Sequence, residues 1–157
     1  MAQEVDLMIV NPATTAVSPA VQQACDAGIP VLVYDRFVEP ETNMTATMYT
    51  DEVHDGYTCG SAIVEALDGE GNVVILGGLP GVGVSEERMI GARQAFDEAP
   101  GVTVLAEAFS DYDPAKGRQI MEEWLQAHDQ IDALWSDAGL QAIGAIGALQ
   151  EAGASTR

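Results

Sequence analysis

The 157 residues suffice for one ordinary domain or for pieces of two small ones, and no apolar run approaches the ~20 residues that cross a bilayer. A net charge of −19, from 25 acids against six bases, argues against nucleic acid as a partner, because phosphate recognition draws on clustered Lys and Arg. Hydrophobic residues at 47% with aromatics at 6% imply an aliphatic, alanine-rich core, and dense carboxylate beside a single lysine suggests either a salt-adapted or an ordinary acidic surface.

In chain order, the opening "MAQEVDLMIV" has no basic segment or cleavage pattern of a secretion signal, and its apolar part, Val5–Val10, reads as a first strand. A helix over Pro19–Ala27 follows, started by Ser18-Pro19 as cap and first-turn proline and stopped by Gly28. Pro30–Tyr34, within "GIPVLVYDRF", reads as a strand with both faces covered by protein. The polar stretch "FVEPETNMTATMYTDE" then skips a helix and offers only the short strand "TATMYT". A β-α series that omits a helix there reads as a crossover between two lobes, with residues 1–49 as the later part of the first lobe and 50–157 as most of the second.

The second part alternates regularly. Helices are expected over Glu52–Leu67, Glu86–Glu98, Pro114–Ala127 and Ala138–Ala152, and strands over Val73–Leu76, Val102–Ala106 and Ile131–Trp135. Ser85-Glu86-Glu87 reads as a cap with two acids at a helix's positive end, and Asp113-Pro114 as cap and first-turn proline. Gly69 and Gly153 mark helix stops, and Gly144 with Gly147 suggests a small-residue face that lets the last helix approach a sheet. The pattern is that of an α/β protein with parallel sheets flanked by helices. Both ends look cut, so the chain reads as an internal portion of a longer two-lobed protein.

In open parallel sheets, ligands bind beyond the carboxyl ends of the strands. The residues found there are Asn11-Pro12, Asp35-Arg36, Thr50-Asp51, Gly77-Gly78, Ser110-Asp111-Tyr112-Asp113 and Ser136-Asp137. Arg88 joins them from a position that reads as the first turn of a helix, where a cation meets an unfavourable dipole. That placement suits a guanidinium aimed at ligand oxygens, or an ion pair with Glu86, Glu87 or another nearby acid. Tyr112 suits stacking on a sugar ring, or a half-buried loop aromatic.

Several chemistries find no support. "GGLPGVGVSEER" lies between strand and helix, but Val84 stands where a phosphate loop needs lysine, and Glu86 where a dinucleotide loop needs its third glycine. Two glutamates there would repel a pyrophosphate. Cys25 and Cys59 read as small buried hydrophobes without metal-ligand spacing, and His54 and His128 as solvated residues standing alone. No nucleophile, base or paired-acid arrangement emerges, so neither an enzyme nor a cofactor or metal is implied.

The series "VDLMIVNPA", "AGIPVLVYDRF", "TDEVHDGYTCGSAIVEAL", "VVILGGLPGVGVSEERMIGARQAF", "FSDYDPAKGRQIMEEWLQAHDQIDALWSD" and "GAIGALQEAG" resembles the ribose-type periplasmic sugar-binding proteins and the related effector domains of lactose-repressor-like regulators. The resemblance spans essentially the whole chain. It implies two α/β lobes closing on a monosaccharide, with hinge strands crossing near Thr50. It also implies that Asp35 and Arg36 bind sugar hydroxyls, together with Arg88, Tyr112 and Asp137. At Asp137 the family usually has an asparagine, and here the spacing to the following helix differs by one residue. The function implied is an extracytoplasmic solute-binding protein serving a membrane ABC-type permease. The alternative is the sugar-sensing core of a transcription regulator, and an enzyme on the same fold is a third class.

Overall fold

The structure, a computed structural model, describes residues 5–39, 41–81 and 83–154. Expectations touching residues 1–4, 40, 82 and 155–157 lie outside them. The chain divides into two compact units, Met1–Asp51 and Glu52–Arg157, where the sequence reading sets its boundary between residues 49 and 50.

The first unit holds strand β1 (Met8–Val10), a short 3-10 turn (Thr15–Val17), helix α1 (Ser18–Asp26), strand β2 (Val31–Tyr34) and strand β3 (Ala46–Met48). The strands form a parallel sheet in the order β1-β2-β3, so the stretch expected to skip a helix contributes its strand beside β2. Alternation along β2 sends Val31 and Val33 into a small core with Val21 of α1 and Val38. On the opposite face Tyr34 is exposed, as are Ile9 of β1 (66%) and Met48 of β3 (74%). Among the described residues this sheet is therefore covered on one face, against the expectation of two. Ser18 opens α1 without capping it. Its hydroxyl turns back to the Thr15 carbonyl at 2.6 Å, because the 3-10 turn already supplies the helix entry.

The second unit runs α2 (Glu52–Ala66), β4 (Glu70–Gly77), α3 (Gly83–Asp97), β5 (Gly101–Phe109), α4 (Pro114–Ala127), β6 (Ala133–Ser136) and α5 (Gly139–Glu151). Its parallel sheet has the order β5-β4-β6, which places β4 in the middle. Successive side chains of β4 serve two cores. Val73 and Ile75 pack with Met89, Phe96 and Trp135 on the α2–α3 side, while Val74 and Leu76 pack with Ile120, Met121 and Trp124 on the α4–α5 side. All four β4 residues are inaccessible to solvent, and each contributes about 1.5–3 kcal/mol by burial. This explains why "VVIL" lacks any polar alternation.

Glycines let paired helices on each face of this sheet approach closely. A Cβ at Gly56 of α2 would run into the Arg88 carbonyl of α3, and one at Gly91 of α3 into the Val53 carbonyl of α2. On the other face, a Cβ at Gly144 of α5 would meet the Pro114 carbonyl of α4. Gly144 therefore serves helix–helix contact rather than contact with the sheet, and Gly147 has only Arg118 Nη1 at 3.8 Å before it. Gly28, Gly69 and Gly153 adopt left-handed φ values of 78°, 81° and 76° after α1, α2 and α5, as expected of helix stops. Asp113 caps α4 through the Ala115 N–H at 2.7 Å.

Two local expectations change. Helix α3 begins at Gly83, so Ser85 lies inside its first turn and its Oγ accepts from the Gly78 N–H at 2.9 Å. Arg88 is consequently one turn further in than its sequence context suggests, and the dipole argument for it lapses. Cys59 is exposed rather than buried, and Cys25 is intermediate; both are free thiols.

Candidate functional site

Unit two gathers its polar strand-end residues through three loops. After β4, the Gly77-Gly78 backbone turns toward α3. After β5, Asp111 and Tyr112 take successive left-handed φ values of 56° and 57°, a conformation unfavourable for non-glycine residues that needs support from its surroundings. The support is visible: Asp111 N–H donates to the Gly78 carbonyl at 2.7 Å, and Ser110 Oγ donates to the Gly77 carbonyl at 3.1 Å. The double turn lays the Tyr112 ring against Gly78, where any Cβ would collide with it. After β6, Ser136 and Asp137 lead into α5.

These loops bring Arg88, Tyr112 and Asp137 together. Arg88 Nε donates to Glu52 Oε2 at 2.5 Å, and its Nη1 donates to the Asp137 carbonyl at 3.2 Å. Tyr112 Oη donates to Asp137 Oδ2 at 3.3 Å. The other carboxylate oxygen of Asp137 accepts from Gln141 of α5. Burial raises the Tyr112 pKa above the ordinary tyrosine value, and the neighbouring Asp137 charge adds to the rise. The phenol therefore stays protonated and keeps donating at neutral pH.

Arg88 does form an ion pair, with an acid 36 residues away on another helix instead of Glu86 or Glu87. Glu86 is engaged elsewhere, accepting from the Gly81 N–H at 2.9 Å. That contact sets a carboxylate on the glycine-rich loop at the start of α3, an arrangement hostile to a phosphate.

Two residues of this cluster carry no signal in the sequence reading. Glu52, 2% exposed, looks like an ordinary first-turn acid until its partner is seen. Gln141 is fully buried ahead of the apolar stretch "AIGAIGAL" of α5, and a glutamine at the start of such a stretch is the clue that could have marked it.

In unit one the strand ends of β1 and β2 meet. Asn11 Nδ2 donates to Asp35 Oδ2 at 3.1 Å, and Arg36 Nη1 donates to the Ala13 carbonyl at 3.3 Å. Asp35 has a left-handed φ of 71°, so the backbone turns sharply as the strand ends. Asp35 and Arg36 stand 3.9 Å apart at their closest charged atoms, beyond hydrogen-bonding distance. Arg36 Nε is buried and has no hydrogen-bond partner. The adjacent acid and base thus hydrogen-bond to different neighbours and keep only a loose, exposed ion pair with each other.

A cavity of about 690 Å³ lies along the free edge of β6, lined by Ile63, Leu67, Leu134, Ile146 and Leu149 among others. Its lining is mostly aliphatic, with Asp132 at one side, and contains none of the strand-end residues singled out above except Ser136. A smaller one, about 420 Å³, is bounded by His54, Thr58, Cys59, Arg88 and Asp137. It reaches the strand-end cluster from the α2 side. Among the described residues no group of His, Cys, Asp or Glu could hold a metal ion, and no helix is long and apolar enough to cross a membrane.

Comparison with known proteins gives a consistent result. The chain is 31% identical to the ribose import binding protein of Bacillus subtilis over 152 residues, covering 96% of this chain and 49% of that protein. It is 30% identical to the galactofuranose-binding protein of Escherichia coli, covering 98% of this chain and 50% of that one. Among solved structures, an ABC transporter periplasmic solute-binding protein from Actinobacillus succinogenes with bound D-allose superposes with a TM-score of 0.89 at 31% identity, covering 96% of this chain and 56% of that one. The chain thus spans about half the length of the curated relatives it matches. The periplasmic binding protein domain family matches residues 1–157, and with a parallel sheet and helices in each unit, the chain belongs to that family.

Proposed function

We propose that the protein carrying this chain binds a monosaccharide outside the cytoplasm and delivers it to an ABC-type membrane permease. Asp35 and Arg36 supply an acceptor and donors for sugar hydroxyls from unit one. Arg88 supplies donors from unit two, Tyr112 an aromatic face, and Asp137 the carboxylate that orients the tyrosine. The observation that carries this reading is the arrangement of Arg88. Its two bonds, to Glu52 and to the Asp137 carbonyl, use two of five guanidinium N–H groups and leave three fixed donors in a cluster with Tyr112, which bonds the same Asp137 and feels the Arg88 charge. Fixed donors beside an aromatic face suit a ring with hydroxyls on its rim and C–H groups on its faces.

The relatives named above support the substrate class, since they are described as binding ribose, galactofuranose or allose. Their names refer to import or to solute binding, which favours the transport reading over a transcription regulator. A thermal-shift screen of pentoses and hexoses on the full-length protein tests the proposal. At least one sugar is expected to raise the melting temperature saturably. A flat response to every sugar, with a shift from a nucleotide or an amino acid, would replace the reading with another ligand class.

A further inference from the structure

We infer that Glu52 is a positioning residue that holds Arg88 in its donor geometry and cancels its charge, so that the site takes neutral sugars and rejects anionic ones. The inference deepens the monosaccharide reading and rests on it. A carboxylate that is 2% exposed is an unusual residue in any fold, and burial is tolerated only where a partner compensates for lost hydration. Here the partner is Arg88 Nε at 2.5 Å. Glu52 stands in the first turn of α2, and the α2–α3 crossing at Gly56 and Gly91 brings that turn against Arg88.

The second contact comes from a different element. The Asp137 carbonyl at the end of β6 accepts from Arg88 Nη1. With Nε and Nη1 anchored from two sides, the guanidinium plane has little freedom left, although arginine otherwise has many rotamers to lose on binding.

The charge count follows from the same residues. The Asp137 carboxylate, 8% exposed, sits within the cluster beside Tyr112. The guanidinium is thus paired with the Glu52 carboxylate and held by the Asp137 backbone carbonyl, while the Asp137 carboxylate adds a second negative charge to the same cluster through Tyr112 and Gln141. A guanidinium without such company is a ready receptor for a carboxylate or phosphate. One already paired with a buried acid offers directional N–H groups and no surplus positive charge. The ligand that gains most from it is neutral and hydroxyl-rich.

The test measures, on the full-length protein, affinity for the best neutral hexose and for its uronic acid, in wild type, Glu52→Gln, Glu52→Asp and Arg88→Gln. Wild type is expected to favour the neutral sugar. Glu52→Gln should weaken the neutral sugar by about tenfold and move the neutral-to-anionic preference by about tenfold toward the uronate. Glu52→Asp keeps the charge and shortens the reach, so it should lose neutral-sugar affinity while keeping the preference. In an Arg88→Gln background, Glu52→Gln should change neutral-sugar affinity by less than about twofold, as coupled residues do. A merely structural role for Glu52 would cost affinity in both backgrounds and leave the preference unmoved, and that result overturns the inference. Should Glu52→Gln fail to fold, unchanged neutral-sugar affinity in Glu52→Asp overturns it instead. If wild type binds no sugar, the monosaccharide reading itself fails, whatever Glu52 does; if wild type binds sugar but Arg88→Gln leaves affinity intact, the monosaccharide reading stands and the inference about Glu52 fails.

Discussion

Replacing Gly56 by alanine tests whether the α2–α3 crossing sets up the site. A methyl group there meets the Arg88 carbonyl, a backbone atom that cannot swing aside. Overpacking of this kind costs about 1–3 kcal/mol, and a backbone obstacle places Gly56→Ala near the upper end. Alanine returns about 1 kcal/mol of helix propensity, so the net loss is about 2 kcal/mol. At about 2–4 °C per kcal/mol for domains of 150–250 residues, the melting temperature should fall by about 4–8 °C. The same separation pulls Arg88 from Glu52, so sugar affinity should fall with it. Gly147→Ala is the internal control. Its Cβ would meet only a side-chain nitrogen at 3.8 Å, so propensity acts alone and should raise stability by about 0.5–1 kcal/mol. Differential scanning calorimetry on both variants decides the matter. If Gly56→Ala melts at or above wild type, the close crossing is not a constraint and the reasoning fails.

Two further expectations follow from charge and protonation. Tyr112→Phe keeps the ring and loses the hydroxyl bond to Asp137, a change of about 0.5–1.5 kcal/mol. Because the folded-state pKa of Tyr112 is raised above 10.0, wild type's advantage over this variant should hold below that pH and shrink as pH climbs from there through the raised value; denaturant melts that keep the difference constant would contradict the burial of the phenol. With a net charge of −19, raising salt from about 0.1 to 1 M shortens the screening length from about 10 to 3 Å and should raise the melting temperature. A fall would mean that exposed ion pairs such as Arg93–Glu107 outweigh the general self-repulsion.

The β-α alternation was legible because buried parallel strands are continuous apolar runs. Val73 to Leu76 feeds two cores at once, so nothing interrupts it. Caps and stops were legible where a side chain or a left-handed glycine acts locally, as at Asp113 and Gly69. What escaped depends on partners distant in sequence. Ser85 looked like a cap because its reach back to Gly78 is a loop property. Glu52 carried no signal because its partner Arg88 lies 36 residues on. Gly144 suggested sheet packing, since a small face does not reveal whether a sheet or a helix will meet it. The second face of β2 was expected to be covered because "VLVY" is apolar throughout, yet Tyr34 is exposed.

The most direct test of the central claim is calorimetric titration of the full-length protein with the best sugar, in wild type and Arg88→Ala. Arg88 is 30% exposed and holds two bonds that orient it, so its removal takes away fixed donors and leaves Glu52 without its cation. Affinity should fall by at least about tenfold, or about 1.4 kcal/mol. A variant that folds and binds within about threefold of wild type, roughly 0.65 kcal/mol, would contradict the assignment of Arg88 to the ligand.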